Sequence, residues 1–181
     1  MRKKNNTDHT QRIQQISTDM IKSKKDRAKL IYDTVSLSGE TVFDVCSVPR
    51  ENRNQHDGMF VAEYMNQQVK YFSKMDINLV IFLGKKLWAN RYNAGDPIII
   101  KGEIGDWMYI IFKGTVEVKI PNHKGPPIYI GTNAVFGQTA LQNKEKRNAD
   151  VYAKTNVELL TLFKTDYDSV VFEFRKIQKQ K

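Results

Sequence analysis

The chain has 181 residues, 40% hydrophobic and 27% charged, enough for one cored domain plus an extension. Its net charge of +9 is spread along the chain with no basic helix, zinc-finger spacing or RNA-binding aromatic motif, so nucleic acid is not an expected partner. No apolar run reaches the ~18 residues of a membrane span, and the lone Cys46 suits a reducing, cytoplasmic setting without a disulfide or a metal centre.

Residues 1–56 differ in texture from the rest and read as an N-terminal extension, partly disordered or bound to a partner. Positions 11–32 carry a weak helical stripe (Ile13, Ile16, Met20, Leu30, Ile31) interrupted by a charged stretch. Val42, Phe43, Val45 and Val48 offer apolar surface for docking, but they lack a period, and Pro49 ends the segment.

Residues 57–181 read as the domain. Met59, Phe60, Tyr64, Met65 and Val69 recur at helical spacing, predicting an amphipathic helix over 57–71. Asp76 stands at an N-cap position before a second short helix with Ile77, Leu79, Val80, Phe82 and Leu83. Short β-branched or aromatic runs then follow at 87–92, 97–101, 107–113, 115–120, 128–131, 148–154 and 158–163, separated by turn residues. Thr165 and Asp166 cap a closing helix with Tyr167, Val170, Val171, Phe174 and Ile177. A helix pair, many strands and a closing helix predict a mainly β fold with flanking α-helices. Gly102, Gly105 and Gly114 are expected at turns, Trp88 and Trp107 in packing roles, and His9, His56 and His123 on the surface.

One segment, 133–146, interrupts the strands. It holds Phe136 and Gly137, a short helical stretch from Gln138, and a charged loop ending at Arg147. A glycine before a helix start, followed by an arginine, can hold an anion between helix N–H groups and a bidentate guanidinium.

Two motifs sharpen that expectation. The first is Gly102-Glu103-Ile104-Gly105-Asp106-Trp107 with Gly114, preceded by Gly95-Asp96-Pro97; the second is Phe136-Gly137-Gln138-Thr139-Ala140-Leu141 followed by Arg147-Asn148-Ala149. Together they resemble the cyclic-nucleotide-binding domain family, with a phosphate-binding cassette of the kinase-regulatory-subunit type. The resemblance implies a β-roll of the double-stranded β-helix, or jelly-roll, type. It implies binding residues Gly137, Gln138, Ala140, Leu141, Arg147, Asn148 and Ala149, with Arg147 on the cyclic phosphate of cAMP or cGMP. No other cofactor and no metal are implied.

The sequence departs from the family pattern twice. Gln138 stands where the family has a glutamate that accepts from the ribose 2′-hydroxyl. A neutral bond of ~0.5–1.5 kcal/mol then replaces a charge-assisted one of ~1.5–3 kcal/mol, about five- to tenfold in affinity. The helix that usually covers the base as a lid is also not expected after 178. No nucleotide-triphosphate loop, nucleophile elbow, zinc-protease or kinase motif occurs, so an enzyme is not expected. The expected function is an assembly or regulatory subunit with weak or lost nucleotide binding and protein partners, in the cytoplasm. The Asn-, Gln-, Lys- and Ile-rich composition is of the kind found in AT-rich protist genomes, where small proteins resembling this family are frequent among ciliary components, so the resemblance implies a ciliary or axonemal setting. The alternative is a functional cAMP or cGMP sensor that changes its partner contacts on binding.

Overall fold

The computed structural model describes residues 26, 29, 41–139 and 145–179. Helix α1 (Val42–Ser47) begins with a reciprocal cap: Thr41 Oγ1 accepts from the Asp44 N–H, and the Asp44 carboxylate accepts from the Thr41 N–H. Helix α2 (Gln55–Gln68) repeats the device with Asn54 and Asp57. That cap starts the helix two residues before the expected position. Its stretch from Gly58 to Met65 is buried all round, the pattern of a central helix. Helix α3 (Ile77–Gly84) starts at the expected Asp76, whose Oδ1 accepts from the Asn78 N–H.

The strands are β1 (Trp88–Tyr92), β2 (Pro97–Ile99), β3 (Trp107–Lys113), β4 (Thr115–Lys119), β5 (Ile128–Gly131), β6 (Val135–Phe136), β7 (Asp150–Ala153) and β8 (Val157–Phe163). They form two antiparallel four-stranded sheets, ordered β1-β8-β3-β6 and β2-β7-β4-β5, and helix α4 (Lys164–Lys179) follows. This is the expected mainly β jelly roll with flanking helices.

Side-chain alternation explains why β3 and β8 read as nearly continuous apolar runs. Met108, Ile110, Leu160 and Leu162 point to the helices, into a cluster with α1, α2 and α3. Tyr109, Ile111, Val157 and Leu159 point the other way, into the space between the sheets with Val116, Val151 and Ala153. With both faces covered, period-2 patterning places apolar groups at nearly every position.

Three differences from the sequence reading have local causes. The boundary at residue 57 cuts through the helical cluster, because Val42, Phe43, Val45 and Cys46 are buried in it. Their spacing is too short to show a period, yet it suffices for a capped six-residue helix. Residues 41–56 of the expected extension therefore pack against the domain, while 1–25, 27, 28 and 30–40, with the expected helical stripe of Ile13, Ile16, Met20, Leu30 and Ile31, lie outside the described residues. Strand β6 was not anticipated, since it is two residues long and exists only by pairing with Tyr109 and Ile110. Trp88 and Trp107 are 42% and 37% exposed rather than core. Trp88 lies beneath the Arg50 guanidinium at 4.2 Å, and Trp107 packs on Phe163 with ring centroids 4.7 Å apart.

Two arginines tie the N-terminal segment down. Arg50 Nη1 meets Asp166 Oδ2 of α4 at 2.8 Å. Arg53, 4% exposed, donates to four main-chain carbonyls: Nε to Val48, Nη2 to Cys46, and Nη1 to Leu87 and, at 3.4 Å, Lys85. Burial pushes the neighbouring Cys46 thiol up to about 12. No helix among the described residues is long and apolar enough to cross a membrane.

Candidate functional site

The site grows out of β6. Phe136 pairs with Tyr109 and stacks on it, ring centroids 4.8 Å apart and 10° from parallel. Gly137 then turns the chain with φ of +72°, a left-handed conformation that an L side chain resists, and a helical turn opens at Thr139. Residues 140–144, which include Ala140 and Leu141, lie outside the described residues.

The chain re-enters at Glu145 and is pinned at once to the β2–β3 turn. Lys146 bridges Ile104, the Arg147 N–H donates to Glu103 O, and the Gly102 N–H donates to Arg147 O, both at 2.8 Å. This two-bond clamp fixes the backbone from which the Arg147 side chain projects. Its Nη2 donates to Trp107 O at 2.7 Å and its Nη1 to Gly137 O at 3.1 Å. Carbonyls, rather than a carboxylate, therefore hold the guanidinium among the described residues. Burial pulls its pKa below the ordinary arginine value, partly offset by Tyr109, Asp106 and Glu103. An arginine side chain keeps its charge at neutral pH. Burial pushes the nearby Tyr109 hydroxyl up to about 12.

Arg147 borders a cavity of about 110 Å³ between the turn and the second sheet. Ile99, Val118 and Val151 form its apolar floor, and Thr139, Glu145, Lys146 and Asn148 contribute polar groups, the carboxylate of Glu145 among them. Four expected site residues meet here: Gly137, Arg147, Asn148 and Ala149. Gln138 is half-buried beside the cavity without lining it. The sequence reading missed Thr139 and Lys146, which flank expected residues, and the three floor residues, whose alternation in β2, β4 and β7 was the available signal. The volume is below the ~300 Å³ at which small-molecule pockets commonly begin.

Comparison with known proteins bears on this geometry. The family description "Cyclic nucleotide-binding domain" matches residues 89–173. A cyclic nucleotide-gated potassium channel of Rhizobium etli is 36% identical over 99 residues, which are 55% of this chain and 27% of the channel. The cAMP-dependent protein kinase regulatory subunit of Schizosaccharomyces pombe is 30% identical over 118 residues, 65% of this chain and 28% of that one. The chain thus spans little more than a quarter of the curated relatives it matches. Among solved structures, the regulatory domain of Toxoplasma gondii PKA with cAMP is similar with a TM-score of 0.55 at 22% identity, over 68% of this chain and 48% of that one. The regulatory subunit of a cAMP-independent protein kinase A from Trypanosoma cruzi, bound to guanosine, is similar with a TM-score of 0.56 at 25% identity, over 68% and 45%. The paired sheets, the cassette glycine and its arginine fall within the same residues as the family match, so 89–173 has the fold of a cyclic-nucleotide-binding domain.

Proposed function

We propose that the chain is a non-enzymatic regulatory or assembly subunit whose cassette takes the cyclic phosphate of cAMP or cGMP weakly. The observation that carries this reading is Arg147. Among the described residues two carbonyls occupy two of its five N–H groups, so a partly buried cation borders the cavity with donors to spare among those residues. A cyclic phosphate is an anion suited to those donors. Weakness follows from the neutral Gln138.

The Trypanosoma cruzi neighbour is described with guanosine, a neutral nucleoside. A nucleoside would leave Arg147 without an anion, so the cyclic phosphate is the better fit here. The named relatives are regulatory subunits and channels, which supports a regulatory role over catalysis. The exposed Phe82, Ile104 and Phe172 are large apolar groups of the kind that protein contacts cover. Placement in a ciliary axoneme rests on the family resemblance taken with the composition; a tagged chain absent from isolated axonemes overturns it.

Calorimetric titration with cAMP, cGMP and guanosine tests the ligand reading. Heat with a cyclic nucleotide, its loss in Arg147→Ala, and none with guanosine are expected. Silence with both cyclic nucleotides at millimolar concentration would sink the proposal and leave a pure interaction module.

A further inference from the structure

The β2–β3 turn contains two glycines three residues apart, and they serve different ends. Gly102 has φ of +88°, and a Cβ placed there would meet nothing within 4 Å. Its need is conformational, since an L side chain would be strained in empty space. Gly105 has no such backbone requirement, being absent from the left-handed region. Instead, a Cβ on Gly105 would lie 2.4 Å from Nε, 2.6 Å from Cζ and 2.9 Å from Cδ of Arg147. All three of its nearest neighbours belong to that one side chain, which lies directly over the missing methyl.

We infer that Gly105 is a positioning residue for Arg147, reserving the surface on which its guanidinium lies while Trp107 O and Gly137 O hold its ends. The inference deepens the cyclic-phosphate reading and rests on it for its effect on ligand affinity. A Cβ on Gly137 would likewise sit 2.9 Å from Nη1 and 3.1 Å from Trp107 O. Two glycines thus leave free the space that the guanidinium fills. Because the atoms displaced by a Gly105 methyl are the far end of a flexible side chain, Gly105→Ala leaves the turn intact and moves the guanidinium.

The test is a double-mutant cycle with two readouts. Chemical denaturation is run on wild type, Gly105→Ala, Arg147→Ala and the double variant, with Gly102→Ala measured in both Arg147 backgrounds as control. Gly105→Ala should destabilise the wild type yet have little effect once Arg147 is Ala, whereas Gly102→Ala should cost the same in both. The Arg147 Nε–H resonance, assigned by its loss in Arg147→Ala, should shift in Gly105→Ala. Affinity for cAMP and cGMP should fall about tenfold or more, since a 1 Å error at a bidentate contact is costly. Equal losses for Gly105→Ala in both backgrounds, or an unmoved Arg147 resonance, overturn the inference. If wild type binds neither nucleotide, the phosphate reading fails alone, and the cycle and the resonance still decide the role of Gly105.

Discussion

Arg53 and Arg147 are both guanidiniums held by main-chain carbonyls, one among the helices and one beside the second sheet. Arg53 is closed in: three nitrogens reach four carbonyls from α1, the segment after it and the α3–β1 connection. Arg147 is held at two points, and among the described residues its Nε has no acceptor. Arg53 sits in the helical cluster, while Arg147 borders a cavity. A saturated cation can only hold structure together; a half-saturated one at a cavity wall can still accept a ligand. Carbonyls suit both tasks because they orient a guanidinium without neutralising its charge.

The contrast breaks first at Arg53. Arg53→Ala leaves several buried carbonyls without a donor and should cost about 3 kcal/mol or more, read by urea denaturation. Arg147→Glu should change stability far less, yet reduce binding of cAMP or cGMP by about a hundredfold or more in calorimetry, because a like charge faces the phosphate. Comparable stability losses at both sites would dissolve the distinction.

Alkaline pH separates the two regions further. Cys46 beside Arg53 and Tyr109 near Arg147 are both weak acids kept neutral by burial, and both are pushed up to about 12. Each contributes stability that is intact below its unfolded value, roughly 9 for the thiol and 10 for the phenol. As pH rises toward 12 the unfolded chain ionises first, so stability falls. Cys46→Ala should remove the earlier part of that fall and Tyr109→Phe the later part, followed by thermal denaturation between pH 8 and 12. The smallest effect is at Gln138: Gln138→Glu should tighten nucleotide binding about five- to tenfold by restoring a charge-assisted contact.

The legibility of the site follows from how local each part is. Phe136-Gly137 and Arg147 could be read because a left-handed turn and an anion-holding cation each restrict the residue type allowed. The helix at Asp76 could be read from its cap and the one after residue 163 from its period, although that helix starts at Lys164 and so takes the expected capping residues Thr165 and Asp166 into its first turn. Gly105 was legible as a glycine and illegible in role, since its neighbour lies 42 positions away and only the folded turn brings Arg147 over it. Helix α1 escaped because six residues cannot establish a period, and β6 because two residues carry no pattern. The exposed tryptophans misled for another reason: size and apolarity predict contact, and their contacts proved to be with Arg50 and Phe163 at the surface.

The interleaved strand order has a kinetic consequence. β8 lies between β1 and β3, and the register sets Trp88 opposite Thr161, so the first strand waits for the last before it acquires its neighbour. Such distant pairings carry a loop-closure entropy that local helices do not, and all-β folds of this kind fold in roughly milliseconds to seconds. The α2–α3 pair can form early from adjacent sequence. The Arg147 slot cannot, because Trp107 O is 40 residues from the arginine it receives. On this chain the proposed anion site is a late product of folding, and a ligand bound there would reward the finished roll without guiding its assembly.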